Sequence, residues 1–270
     1  MGKRILLTGA TDGIGLATAK KLISLGHRVL LHGRNADKLD NVEKLLKSSF
    51  DNAQTESYVA DLSEMSEVEK FADAVSRNHD NLDVLINNAG VFVVPNPVTA
   101  EGLDLRFVVN TIAPYLLTKR LLPLLVEDGR VINLSSAAQA TVDVDALAGK
   151  RRLDAGEAYA QSKLALTMWS RHLAKSLGGQ EPAIVAVNPG SMLGSKMVKE
   201  AYGSDGKDIS IGANILARAA LEDEFASASG QYFDNDSGRF ASPHHDALDA
   251  SKTAEIVKAI EAALADISNP

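Results

Sequence analysis

The stretch Thr8-Gly9-Ala10-Thr11-Asp12-Gly13-Ile14-Gly15 decides the fold. A short apolar run at residues 4–8 leads into it and reads as a buried strand. After it Leu16, Ala17, Ala19, Leu22 and Ile23 recur at helical spacing until Gly26 ends the pattern. Glycines between a strand and a helix permit a tight turn and a close approach of backbone to a ligand. The helix start offers free N–H groups and a positive dipole end, which suit a pyrophosphate. Three glycines alone also serve ordinary turns. Their place on the first strand-to-helix connection of an alternating pattern gives them weight.

That alternation continues outward. Residues 29–31, 57–60, 84–86, 130–134 and 183–187 read as further strands, and 230–233 as a short last one. Residues 38–47, 63–76, 111–125 and 158–177 read as the intervening helices, and 253–265 as an alanine-rich closing helix. Ser63 is expected to cap its helix, with Glu67 completing the pattern. The rhythm predicts an α/β fold. It is a Rossmann-type doubly wound parallel sheet of about seven strands with helices on both faces, in a single domain over residues 1–270. Two stretches break the rhythm, 137–157 and 191–211. Both follow strand ends, where ligands sit in open α/β sheets, so they are expected to wall a substrate site.

Composition narrows the chemistry. The chain has no cysteine, which excludes disulfides, a thiol nucleophile and cysteine-ligated zinc. A net charge of -7 argues against nucleic-acid or anionic-membrane partners. The apolar run after Met1-Gly2-Lys3-Arg4 is too short for a signal-peptide core, and no stretch approaches the ~20 residues of a membrane span. A soluble, cytoplasmic protein is expected. The histidines point to no metal site: His244 and His245 are adjacent, so their side chains should diverge, and the other four are scattered.

Several further motifs stand at strand ends. They are Asp61-Leu62, Asn87-Asn88-Ala89-Gly90, Asn110, Ser135-Ser136, Tyr159-Ala160-Gln161-Ser162-Lys163 and Asn188-Pro189-Gly190. With the G-x-x-x-G-x-G spacing of Gly9, Gly13 and Gly15, this ordered set over about residues 3–190 resembles the short-chain dehydrogenase/reductase family. The long spacing from Ser136 to Tyr159 resembles its retinol-dehydrogenase-like and protochlorophyllide-reductase-like branches. The resemblance implies a nicotinamide-dependent oxidoreductase that interconverts a carbonyl and an alcohol. It implies cofactor contacts from Gly9, Thr11, Asp12, Gly13, Ile14 and Gly15 in the first turn. It adds Asp61 and Leu62 near the adenine, Asn88, Ala89 and Gly90 beside the cofactor, and Pro189 and Gly190 after the sixth strand. It also implies a homodimer or homotetramer, paired through the helices that follow the fourth and fifth strands.

The second strand ends Leu31-His32-Gly33-Arg34-Asn35. Dinucleotide folds that take NAD usually place a carboxylate here for the ribose 2′-hydroxyl. Gly33 stands there instead, and the Arg34 guanidinium can hold a 2′-phosphate, so NADP(H) is expected over NAD(H). Asp12 counts the other way, being a negative charge nearby.

Tyr-x-x-x-Lys occurs twice, as Tyr159/Lys163 and Tyr115/Lys119. Only the first follows Ser136 and precedes the sixth strand as the resemblance requires; Tyr115 reads as packing, at a subunit contact or within the core. On that basis Tyr159 is the general acid/base; Lys163, one turn on, together with the positive charge of the oxidised nicotinamide, lowers its pKa, and Lys163 also reaches the nicotinamide ribose. Ser136 donates to the substrate oxygen, and Asn110 orients a water that carries protons to Lys163. Gly194 stands where the family often has a threonine, and Ser195 could replace it. The alternatives are reduction of an activated C=C bond, or a dinucleotide-sensing protein without turnover.

Overall fold

The computed structural model describes residues 2–178 and 182–268. Its strands are β1 (Arg4–Leu7), β2 (Arg28–Gly33), β3 (Thr55–Val59), β4 (Leu82–Asn87), β5 (Leu125–Leu134), β6 (Ala183–Asn188), β7 (Tyr232–Asp234) and β8 (Arg239–Ala241). They form one sheet in the order β3-β2-β1-β4-β5-β6-β7-β8. Every neighbouring pair is parallel except β7 with β8. The expected doubly wound sheet is present, with one strand more than the rhythm suggested. The extra strand, β8, is three residues long and returns through a turn at Gly238 (φ +69°), too short for periodicity to register.

Helices fill both faces: α1 (Gly13–Ser24), α2 (Ala36–Ser49), α3 (Met65–Asn78), α4 (Leu105–Phe107), α5 (Ala113–Leu121), α6 (Val144–Leu147), α7 (Ala155–Ser176), α8 (Lys196–Tyr202), α9 (Ser210–Leu221) and α10 (Ala250–Ser268). The strand period of two sorts the core. Leu6, Leu30, Leu85 and Val131 point to one face, where they meet α3, α5, α7 and α10. Ile5, Leu7, Val29, Leu31 and Ile86 point to the other and meet α1, α2 and α9.

Three expectations change. The single helix over 111–125 is instead a π turn at Val108–Ile112, helix α5, and a 3₁₀ turn at Leu122–Leu124, after which β5 starts early. Pro114 and Pro123 cannot donate backbone hydrogen bonds, which breaks the helix at both ends. Ser63 does not cap α3. The cap residue is Glu64, while the Ser63 hydroxyl donates to Asp61 Oδ1 (2.7 Å) and Glu67 Oε2 accepts from the Asp61 N–H (2.6 Å). The stretch 191–211 is not wholly irregular: it holds α8 and the start of α9.

β1 lies between β2 and β4, so the chain winds outward in both directions from the gap between β1 and β4. The turns after these two strands open on the same crevice, the usual ligand position in such sheets.

α10 lies against α7, and its Glu261 accepts from Tyr115 Oη (2.7 Å) and Lys119 Nζ (3.0 Å) on α5. Tyr115 is 3% exposed and meets Trp169 edge-on. The chain itself thus covers part of the two helices that the resemblance assigns to subunit pairing.

Candidate active site

The turn after β1 depends on glycine at two places. Gly15 has no room for a Cβ, which would lie 2.0 Å from the Gly9 carbonyl oxygen. Gly9 sits at φ +66°, and a Cβ there would come within 2.9 Å of Ala89 Cα. Asn88 ties the turn to the end of β4, its Nδ2 donating to Thr8 O (2.8 Å) and Gly9 O (3.1 Å). The Thr8 hydroxyl accepts from the N–H groups of Asn88 (3.0 Å) and Ala89 (3.1 Å). Asp12 caps α1, accepting from the Gly13 N–H at 2.7 Å, so its carboxylate is committed to the helix start. Ile14 packs against Gly212 of α9, which anchors the helix end of the turn.

His32 joins this crevice without having been read from the sequence. Its Nδ1 accepts from the Gly9 N–H (3.2 Å), so Nε2 carries the proton and donates to Ala60 O (3.0 Å). Burial lowers its pKa to about 4, and the ring stacks on Phe71. The signal available was a histidine inside an apolar strand, which more often marks a satisfied core residue than a site.

Gly33 packs against Thr11, where a Cβ would come within 2.5 Å of Thr11 Cγ2. Arg34 follows at the strand end, exposed and with no ion-pair partner among the described residues. Asp61 stands at the next strand end with its carboxylate on Ser63. Leu62 is buried in the core at 6% exposure, which leaves only its backbone for a ligand. Pro189 and Gly190 close β6; Asn235 donates to Pro189 O (2.9 Å), and Gly190 takes φ +118°. Ser195, the cap of α8, lies 3.7 Å from where a Gly13 Cβ would be, over the glycine turn. Gly194 has no space for a side chain, because a Cβ would meet the Asp205 carbonyl oxygen at 2.8 Å.

Tyr159 and Lys163 occupy one face of α7, with Lys163 Nζ 5.7 Å from the Tyr159 ring centroid. Ser135 is buried and its hydroxyl pairs with Thr167 (2.7 Å). Ser136 is the member of the pair whose side chain reaches the Tyr159 phenol. Burial raises the Tyr159 pKa, the Ser136 hydrogen bond opposes the rise, and the nearby Tyr202 phenol adds to it. Lys163 is not among the groups that shift it. Lys163 is itself only 4% exposed, donates to Leu134 O (2.8 Å), and is brought by burial to about 8. Desolvation favours the neutral form of both groups.

Asn110 joins the segment after β4 to α7. Its Oδ1 accepts from the Val91 N–H (2.8 Å), and its Nδ2 donates to Val91 O (3.0 Å) and Ser162 Oγ (3.0 Å). The side chain pins the segment after β4 to α7. The chain does fit a dinucleotide. Gly90 brings backbone close to Lys163 Nζ, 3.4 Å from a Cβ built there, and Leu134 takes one of the three ammonium protons, leaving two donors.

The histidine pair departs from expectation in geometry. The rings of His244 and His245 lie 4.2 Å apart, and their ligand atoms fall within 4.8 Å of each other and of Asp246. The Asp246 carboxylate is already engaged by Lys252 and Thr141. Through Asp246 and the Gln139–His244 contact (3.2 Å), this tail docks on the start of the 137–157 stretch.

Comparison with known proteins agrees with the geometry. The family model described as short chain dehydrogenase matches residues 3–205. The mouse protein named retinol dehydrogenase 12 is 34% identical over 245 residues, covering 86% of this chain and 77% of its own length. Among solved structures, a landomycin C-6 ketoreductase with bound NADP and rabelomycin has a TM-score of 0.69 at 28% identity, covering 87% of this chain and 95% of its own. A short chain dehydrogenase from Burkholderia cenocepacia in complex with NADP has a TM-score of 0.71 at 25% identity, covering 87% and 96%.

Proposed function

The chain belongs to the short-chain dehydrogenase family, in its retinol-dehydrogenase-like branch, and we propose that it reduces a carbonyl to an alcohol with NADPH. As a member it is an NAD(P)-dependent oxidoreductase. The observation that carries the finer reading is the meeting of Ser136, Tyr159 and Lys163 beside the glycine turn, with a phenol that burial keeps protonated. A protonated phenol can give a proton to an alkoxide oxygen, which favours the reductive direction.

The glycine turn and the start of α1 would hold the pyrophosphate, Arg34 the 2′-phosphate, and Lys163 the nicotinamide ribose. When bound, NADPH supplies the hydride. Ser136 donates a hydrogen bond to the carbonyl oxygen and holds it at the phenol. Tyr159 gives its proton to that oxygen as negative charge develops there. The Lys163 ammonium, made more acidic by burial that brings its pKa to about 8, returns a proton towards Tyr159. Pro114 has no N–H for the Asn110 carbonyl one turn back, so that carbonyl, not the side-chain amide, is assigned the relaying water. The covering of α5 and α7 by α10 supports a monomer over the dimer or tetramer that the resemblance implies.

Replacing Tyr159 with Phe tests the reading. NADPH consumption on a panel of aldehydes and ketones should fall by roughly 10²–10⁴-fold, the range of general acid catalysis, with NADPH binding retained. Undiminished turnover in Tyr159→Phe overturns the assignment.

A further inference from the structure

Three aromatic rings meet at the candidate proton donor. The Phe92 ring centroid lies 4.6 Å from that of Tyr159 at 41°, and 6.0 Å from that of Tyr202 at 44°. The two flanking rings come from different places. Phe92 follows β4, and Tyr202 ends α8 in the loop after β6.

Phe92 is held from two sides. Asn110 binds both backbone groups of its neighbour Val91. Arg106 donates to Phe92 O (3.3 Å) while its guanidinium takes the Asp104 carboxylate through two bonds of 3.0 and 2.7 Å. That ion pair is buried, with side chains 4% and 7% exposed, so its position is well determined. It also leaves no net charge behind Phe92 to attract a substrate carboxylate.

Tyr202 is held differently. The loop that carries it is fastened at its base, where Gly194 N donates to Lys207 O (2.7 Å) and Lys207 N to Met192 O (2.6 Å). At the tip α8 stops at Gly203 in the left-handed conformation, immediately after Tyr202. Tyr202 is 60% exposed, and its hydroxyl has no hydrogen-bond partner among the described residues. Its ring is seated by the Phe92 contact. Val93, beside Phe92, adds exposed apolar surface at 49%.

A carbonyl oxygen within reach of Tyr159 and Ser136 carries its attached group past these rings. Aromatic surface from Phe92 and the exposed Tyr202 beside Tyr159, backed by a neutralised ion pair, favours a flat, apolar, π-bearing group over a saturated or ionised one. We propose that Phe92 and Tyr202 are specificity-determining residues, an aromatic clamp that selects substrates whose carbonyl is carried directly on an aromatic ring. This rests on the reading of Tyr159 as the proton donor.

The test uses the full chain loaded with NADP⁺ and titrated calorimetrically with acetophenone and, separately, with cyclohexyl methyl ketone, its saturated counterpart. The aryl ketone is expected to bind about tenfold tighter. Phe92→Leu and Tyr202→Leu should each remove about threefold of that preference, near the worth of one aromatic pair, with NADP⁺ affinity unchanged. Tyr202 is exposed, so its variant reports even if Phe92→Leu fails to fold. Equal binding of the two ketones, or a preference that survives Tyr202→Leu intact, overturns the clamp. NADPH turnover of the same pair separates the two readings. Turnover without preference leaves carbonyl reduction standing and removes the clamp, whereas preferential binding without turnover does the reverse.

Discussion

Gly9 donates its backbone N–H to Nδ1 of His32 across 3.2 Å, and the same imidazole donates its Nε2–H to Ala60 O. One neutral ring therefore fixes the glycine turn relative to the end of β3. The sign of its pH effect follows from burial. With the pKa lowered to about 4, the folded state binds fewer protons than the unfolded one between pH 4 and 6.5. Stability from this group is complete above about 6.5 and is lost as pH falls towards 4, a change of roughly 3 kcal/mol. Urea unfolding of wild type and His32→Gln across pH 4–7 checks this. The variant should lose the pH slope and bind NADPH more weakly. An equal slope in both would show that other groups carry it.

Lys163 predicts a conflict between stability and activity. Its folded pKa is about 8, below the ordinary 10.5, so the folded state disfavours the ammonium. The sign is opposite to that of a paired lysine. The penalty is full below about 8 and fades as pH rises from there towards 10.5. Lys163→Met should abolish turnover yet melt no lower than wild type at pH 7, and wild type should gain on it as pH rises above 8. A variant that melts well below wild type would mean that the bond to Leu134 O outweighs desolvation.

If Arg34 holds a 2′-phosphate as proposed, it does so through charge-assisted hydrogen bonds, worth ~1.5–3 kcal/mol each. Arg34→Ala should weaken NADPH binding by roughly tenfold to a hundredfold and leave NADH nearly unaffected. Fluorescence titration with each cofactor gives the answer, and equal losses would remove Arg34 from the 2′-phosphate. Asp12 is expected to contribute little to the discrimination, since its carboxylate caps α1.

Glu261 seals α10 onto α5. Glu261→Ala leaves the Tyr115 hydroxyl buried without its acceptor, a cost of about 1–3 kcal/mol. The melting temperature should drop while catalytic constants hold. Light scattering should give wild type the mass of one chain. A stable dimer would require a face other than the one α10 covers.

Much of this was legible because it is local. Strand and helix periods over three or more turns, a glycine turn between them, and a tyrosine and lysine four residues apart on one helix all act through neighbours in sequence. So did the family, whose motifs recur in order at strand ends. The β8 hairpin strand, the π turn before Pro114 and the displaced cap at Glu64 were not legible, being short or set by competing hydrogen bonds.

The sequence by itself determined the doubly wound sheet, the crevice at the ends of β1 and β4, and the residue types that line it. Only the tertiary structure decided what those residues are free to do. It committed the Asn110 side chain to Val91 and Ser162, placed His32 behind the glycine turn, and brought Phe92 and Tyr202 together from segments far apart in the chain. The physical reason is that hydrogen-bond partners, burial and the pKa values they set are properties of neighbours in space. The α/β winding makes neighbours of strand ends that lie far apart along the chain.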